Sequence, residues 1–303
     1  MTAPNPVTID PPVERSLGRR VASWLYSRPR TQLRLLLAWP LGWMTAAYFG
    51  SLLILLLGAF WTKDSLTGKV IPFSWSLDAF GNLFGAEVYR TVAFRTIGIA
   101  VLVTLTAALL AFPIAYYMAR IASPRTRRLL VVAVVMPLWA AYLVKIFAWR
   151  TILQGNGVLE WVLSPFGFES SGLVELVNSW LVLTYLWLPY MILPVFAGLE
   201  RIPNSLLEAS ADLGGRAGVT FRRVVLPLVF PALVAGSIFT FSLSLGDYIV
   251  PDLVSDTKFI GNIIYDNSTL GNVPLAAAYA LLPIVVVIGY LLVARRLGAF
   301  ESL

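Results

Sequence analysis

The stretch EASADLGGRAGVTFRRVVLP, residues 208–227, decides how this chain is read. It is polar and charged, and it lies between two long apolar segments. With the two leucines before it, it has the make-up of a short helix. Leu206, Leu207 and Ala211 fall on one helical face, and Glu208 and Asp212 stand i, i+4 on another. Gly214 can end such a helix cheaply, because glycine accepts the left-handed backbone of a cap. Pro227 suits the first turn of the next helix, where its missing N–H costs nothing.

Composition carries the reading outward from that loop. The chain has 303 residues, of which 58% are hydrophobic and 13% charged, with a mean hydropathy of +0.78. Soluble domains carry roughly 25% charged residues, so this is the composition of a membrane protein. There is no cysteine and no histidine. Disulfides, thiolate chemistry, zinc sites and histidine proton relays are therefore excluded within this chain. No cleavable signal peptide is expected, because the first 34 residues are polar and basic and the first apolar run is too long for one.

Six apolar stretches are long enough to count as spans, at about 20 residues each. The uncharged runs are 35–62, 96–119, 129–144, 176–199, 224–246 and 267–294. The third is the shortest, and its helix is expected to continue past Lys145 towards Leu153. The sequence thus predicts an all-α membrane protein with six transmembrane helices spanning 35–303, after a polar tail of residues 1–34. The charged loop between the fourth and fifth spans covers 200–227.

Arg and Lys set the orientation. The tail holds Arg15, Arg19, Arg20, Arg28, Arg30 and Arg34. The second loop holds Arg120, Arg125, Arg127 and Arg128, and the fourth holds Arg201, Arg216, Arg222 and Arg223. Arg295 and Arg296 follow the last span, and only seven of the 23 basic residues belong to the other face and its span ends. The basic face is expected to be cytoplasmic, with both termini and the 200–227 loop on it. The net charge of +7 is then an orientation signal and a contact for anionic membrane lipid, not a nucleic-acid surface.

In the tail, Leu17, Val21, Trp24 and Leu25 fall at helical spacing. This reads either as an interfacial amphipathic helix or as a basic tail without structure. Residues 1–12, with four prolines, are expected to be disordered. In the first outer loop, 63–90, Trp75 and Phe80 are expected to anchor at the membrane surface. In the second outer loop, the apolar piece 158–163 can form a short surface helix.

The loop 208–227 resembles the EAA signature of the permease subunits of ABC importers. In that signature Glu-Ala-small, three residues, Gly, and then an aliphatic residue and Leu-Pro recur at this spacing. Here Ser210 replaces the second Ala and Val224 an Ile. The resemblance extends over residues 90–295. MPLWAAYLVKIFAWRTILQGNGVLEWVL (136–163), WLPYMILPVFAGLERIPNSLLEASADLG (187–214), SLGDYIVPDLV (244–254), GNIIYDN (261–267) and NVPLAAAYA (272–280) are similar to the spermidine/putrescine importer group. Lys145 departs from the Arg usual there, which puts a carboxylate-binding role at that position in doubt.

The resemblance implies the type I ABC importer permease fold in the inner membrane. It further implies a homologous second permease subunit, two copies of an ATP-binding subunit and an extracytoplasmic solute-binding protein. Glu208, Ala209, Ser210, Asp212, Gly214, Leu226 and Pro227 would form the part that meets the ATPase. ATP and Mg would bind that partner chain; this one holds no cofactor or metal, is no enzyme, and lacks a GxxxxGK(S/T) phosphate loop, since GGRAG at 214–218 has neither its Lys nor its spacing.

Asp247 closes the uncharged run of the fifth span. It reads as a substrate-pathway carboxylate, as an ion-pair partner of Lys145 or Arg150, or as a helix-end residue in water. A carboxylate beside Tyr248 suits an ammonium group, and an intramembrane Asp is a functional candidate by default. Trp139, Tyr142, Tyr185, Trp187 and Tyr190 read either as part of that pathway or as packing. Pro113, Pro137, Pro189, Pro194 and Pro283 lie inside spans, as kinks or as tolerated packing.

Import of polyamines by alternating access is the leading expectation. The alternatives are a permease for another small solute (an amino-acid derivative, an organophosphonate or ferric ion) or an ion-coupled secondary transporter. An intramembrane enzyme is disfavoured by the lack of a catalytic constellation.

Overall fold

The computed structural model describes residues 29–64, 67–153 and 172–296. The amphipathic segment at 15–28, the outer piece at 158–163 and the tail beyond 296 lie outside the described residues. Two compact units are distinguished, Met1–Leu55 and Leu56–Leu303. The first contributes most of helix α1, Pro29–Gly58. The second holds the rest of the chain and both sites discussed below.

The second unit opens with a small antiparallel hairpin, β1 Thr62–Lys63 against β2 Val70–Ile71, and a short helix α2, Asp78–Gly85. Phe80 on α2 turns inward, 5.3 Å from Phe60 and packed near Leu83, whereas Trp75 is exposed. Of the two expected surface anchors only Trp75 is largely exposed, touching Phe60 at 6.0 Å between ring centroids, because α2 is amphipathic and its apolar face is covered.

Then come α3 Glu87–Tyr116, α4 Pro124–Trp139, α5 Tyr142–Leu153, α6 Gly172–Glu200, α7 Asn204–Asp212, α8 Ala217–Thr220, α9 Leu226–Gly246, α10 Ile249–Val254, α11 Ile260–Thr269 and α12 Val273–Arg296. Among the described residues, five helical segments are long and apolar enough to cross a membrane: Leu36–Gly58, Glu87–Ile121, Val174–Glu200, Ala217–Gly246 and Val273–Arg296. The bent pair α4 and α5, counted as one crossing, makes six.

That pair corrects the expected third span. Helical backbone reaches Leu153 as expected, but the first helix does not run on unbroken. It stops at Trp139, Ala140 is extended at ψ 137°, and α5 leaves at 92° to α4. Pro137 lies just before the break, and its carbonyl loses its helical partner there. Lys145 Nζ fills the vacancy, donating to Pro137 O at 3.1 Å. Buried carbonyls need such partners, and this gives Lys145 a backbone role instead of a carboxylate one.

The centre of the second unit is α3, α6 and α9. Ala107, Ala111 and Ala115 repeat every four residues on α3 and are fully buried against Met191, Val195 and Leu199 of α6 and Val229 of α9. Small residues let membrane helices approach closely where apolar burial offers no driving force. Helix α6 meets α9 the same way: a Cβ on Gly198 would sit 2.5 Å from the Ala232 Cβ, and one on Gly236 would sit 2.8 Å from the Met191 sulfur.

Two wide π turns interrupt this packing, Tyr117–Ile121 after α3 and Phe221–Val225 before α9. The second lies at the foot of the fifth span. Helical backbone begins at Ala217, ten residues before Pro227. Pro227 sits just after the π turn, which makes room for a ring that an ordinary preceding turn would crowd.

Candidate functional site

Two groups of side chains lie at opposite ends of α9. The first surrounds α7. Leu207 packs half-buried against the central core, while Leu206 is 43% and Leu213 89% exposed. Glu208, Ala209, Ala211 and Asp212 are exposed too. Of Leu206, Leu207 and Ala211, which share one helical face, only Leu207 is packed against the core. The remainder of α7 presents an open surface of apolar and acidic groups.

Gly214 has φ +76° and its N–H donates to Ala211 O, while the Gly215 N–H reaches back to Ser210 O at 2.8 Å. This is the glycine cap expected of Gly214. Gly215 was not singled out in the sequence, yet it is as constrained: a Cβ there would lie 2.6 Å from Ser210 O. Ser210 is half-buried and shares a hydrogen bond of 2.8 Å with Thr220 on α8. Leu226 and Pro227 open α9 and lie in its first turn.

Two arginines hold the start of this loop, and the sequence revealed them only as positive charge. Arg120, in the π turn after α3, donates through Nη2 to Leu199 O and Ile202 O at 2.6 Å each. Its Nη1 donates to Asn204 Oδ1 at 2.8 Å. Arg127 on α4 donates to Met118 O at 3.0 Å and Ala119 O at 2.9 Å, and pairs with Glu200 at 3.0 Å. Cations belong at helix C-termini, where carbonyls lack partners. All the Arg120 acceptors and Glu200 lie 73 to 84 residues away in the chain, so spacing could not disclose them.

The second group lies at the far end of α9. Asp247 ends that helix in extended backbone, at φ −73° and ψ 129°, and is 7% exposed. Its Oδ1 accepts from the Ile249 N–H at 2.9 Å and the Val250 N–H at 3.1 Å, the first free donors of α10. Its Oδ2 accepts the phenolic hydrogen bond of Tyr142, the first residue of α5. Neither Lys145 nor Arg150 pairs with it, which corrects that expectation: the bend places Tyr142 at Asp247 and turns Lys145 back to Pro137. The solvated helix-end reading fails as well, since the carboxylate is buried.

Tyr142 stacks on Trp187 with ring centroids 6.0 Å apart, Trp187 meets Tyr190 at 5.8 Å, and Tyr190 faces Phe239 at 6.5 Å. The structure therefore gathers Asp247, Tyr142, Trp187 and Tyr190 and adds Phe239, which the sequence reading passed over as one more apolar residue. It does not gather the others. Trp139 is 87% exposed at the break. Tyr185 packs on Trp149 at 5.5 Å, and Tyr248 stacks on Tyr265 at 4.8 Å.

The supports of Asp247 are rigid. Asn262 Nδ2 donates to Tyr248 O at 2.9 Å, and a Cβ on Gly261 would come within 3.0 Å of Asp247 O. The Ile260 N–H donates to Thr96 Oγ1 at 3.0 Å, fixing α11 to α3. Nearby, Lys258 lies 3.3 Å from both Asp252 and Asp266. Burial opposes its charge, but the two carboxylates outweigh that and hold its pKa above the ordinary value. Chemically, the cluster offers one buried carboxylate beside electron-rich rings.

Residues 107–300 match the family of binding-protein-dependent transport system inner membrane components. The chain belongs to that family. It is the permease subunit of an ABC importer, a multi-pass inner membrane protein and not itself an enzyme. The matched region takes in both groups of residues above. The permease is 45% identical over 312 residues to the inner membrane ABC transporter permease protein YdcU of Escherichia coli, covering 96% of this chain and 97% of the relative. It is 32% identical over 218 residues to the spermidine/putrescine transport system permease protein PotB of Haemophilus influenzae, covering 70% and 74%. Its fold is shared with a permease chain in the crystal structure of a bacterial alginate ABC transporter in complex with an alginate pentasaccharide-bound periplasmic protein. There the TM-score is 0.68 at 17% identity, with 89% of this chain and 94% of that chain covered.

Proposed function

We propose that this permease imports a small organic cation, a polyamine of the spermidine or putrescine kind, by alternating access. The observation that carries the reading is Asp247: a buried carboxylate, without a cationic partner among the described residues, next to Tyr142, Trp187 and Tyr190. An ammonium group can take such a carboxylate by ion pairing and the rings by cation–π contact. The likeness to a spermidine/putrescine permease supports the same solute class.

In this reading the exposed surface of α7, with Glu208, Ala209, Asp212 and Gly214, docks on an ATP-binding subunit on the cytoplasmic side. Two such subunits bind ATP and Mg, a homologous permease completes the pathway, and an extracytoplasmic solute-binding protein delivers the solute. The Arg-rich face is cytoplasmic and carries both termini.

A second reading is import of another small solute. It is favoured by the wider range of relatives, which includes a trehalose transport system permease of Mycobacterium tuberculosis at 26% identity. Ligand binding by the partner solute-binding protein, screened over polyamines, sugars, amino-acid derivatives and organophosphonates, separates the two. Binding of a sugar and no polyamine would end the cation reading.

A further inference from the structure

Helix α7 is attached to the helices around it at both ends by side chains. At its C-terminal end, Ser210 hydrogen-bonds Thr220, which immediately precedes the π turn leading into α9. At its N-terminal end, Asn204 accepts from Arg120, which lies inside the π turn that ends α3. The covalent chain joins α7 only to α6 and α8. The Arg120–Asn204 bond therefore adds the second span to the set of elements that α7 can pull.

The geometry of Arg120 separates two tasks. One nitrogen, Nη2, satisfies the carbonyls of Leu199 and Ile202, as any cation at a helix C-terminus would. The other, Nη1, reaches beyond that cap to the first residue of α7. The planar fork fixes the two directions relative to each other, which a lysine cannot do. The π turn supplies the extra residue that aims the fork, and such turns favour functional positions.

We infer that Arg120 is a positioning residue: acting through Asn204, it ties α7 to the second span, so that movement of α7 reaches α3 as well as α9. The inference rests on the reading of α7 as the ATPase-docking helix. In that reading, the tie makes the ATPase work against the second span when its partner pulls α7. Cutting the tie lets hydrolysis proceed without moving α3.

The test uses the complete transporter, reconstituted with its ATPase, and measures ATP hydrolysis in the absence of the solute-binding protein. Asn204→Ala removes the contact to α7 and leaves both capped carbonyls in place. Arg120→Lys keeps the charge and loses the fork. Each is expected to raise this unstimulated hydrolysis about fivefold, the factor for losing one ordinary solvent-exposed hydrogen bond from one of two states. The double variant is expected to add nothing further.

Cross-linking from Ala209→Cys to the ATPase is run alongside. If it cross-links and both variants hydrolyse at the original rate, the tie carries nothing and the inference is overturned while docking stands. If Ala209→Cys never reaches the ATPase, docking by α7 falls and takes the inference with it. Should Arg120→Lys fail to accumulate in the membrane, Asn204→Ala decides alone.

Discussion

Gly236 of α9 rests directly on Met191 of α6: a Cβ on the glycine would lie 2.8 Å from the sulfur and 3.1 Å from the Met191 Cα. The sulfur can swing aside, but the backbone cannot. The two spans between which α7 is strung are thus locked at their closest approach by the absence of a side chain. Gly236→Val is expected to destabilise the permease by about 1–3 kcal/mol through overpacking. Gly98→Ala, inside α3, meets nothing within 4 Å and should be neutral or slightly stabilising. Thermal unfolding of the two variants in detergent checks the contrast, and equal midpoints would refute it.

A second pair of glycines yields a different prediction. Gly214 needs its positive φ and has open space around it, whereas Gly215 is excluded from carrying a Cβ by Ser210 O at 2.6 Å. Gly214→Leu strains the cap by roughly 1–2 kcal/mol and also puts bulk on the exposed surface of α7. It is expected to insert normally and to weaken coupling of hydrolysis to uptake. Gly215→Ala should break the Ser210–Thr220 link as well, and should lower the amount of ATPase that co-purifies. Unaltered uptake in Gly214→Leu would count against α7 as the coupling element.

These positions show how far the sequence could be read. The spans followed from uncharged runs, and the α7 helix with its Gly214 cap from local residue chemistry, since both depend on neighbours in the chain. The break at Ala140 was hidden because residues 129–153 are as apolar on either side of it as a straight helix would be. Contacts made after folding, Lys145 with Pro137, Tyr142 with Asp247 and Trp149 with Tyr185, hold the second half in its direction. Arg120 and Arg127 looked like orientation charges because their acceptors are carbonyls brought near by folding. Aromatic residues were the least legible: Tyr142 and Tyr185 look alike in sequence, and the bend alone decides which one meets Asp247.

Orientation rests on the distribution of Arg and Lys, and it has a direct readout. The chain has no cysteine, so single-cysteine labelling has no background. Arg125→Cys, in the first turn of α4, is expected to react only with reagents admitted to the cytoplasm. Lys69→Cys, exposed beside the β hairpin, is expected to react only from outside. Labelling of both from one side would require an even number of crossings between them and overturn the six-span topology with both termini cytoplasmic.

The Asp247 carboxylate does two jobs that substitution can separate. Oδ1 holds the first N–H groups of α10, and Oδ2 faces Tyr142. In Asp247→Asn the side-chain oxygen can still cap α10, and the amide can donate to the Tyr142 oxygen. Structure is kept and charge is lost. In Asp247→Ala both are lost, and two backbone donors are left without partners at about 1–3 kcal/mol each. If Asp247 serves a cationic solute, Asp247→Asn should lower putrescine uptake about tenfold to a hundredfold, the worth of an ion pair in a partly dry cavity, while melting like the parent. Tyr142→Phe frees Oδ2 of its competing donor and should leave uptake of a cation intact or raise it. If Asp247 only caps α10, Asp247→Asn should transport normally, and only Asp247→Ala should fail, with a lowered melting temperature. Uptake and thermal unfolding of the three variants together distinguish a carboxylate that meets the solute from one that holds the fold.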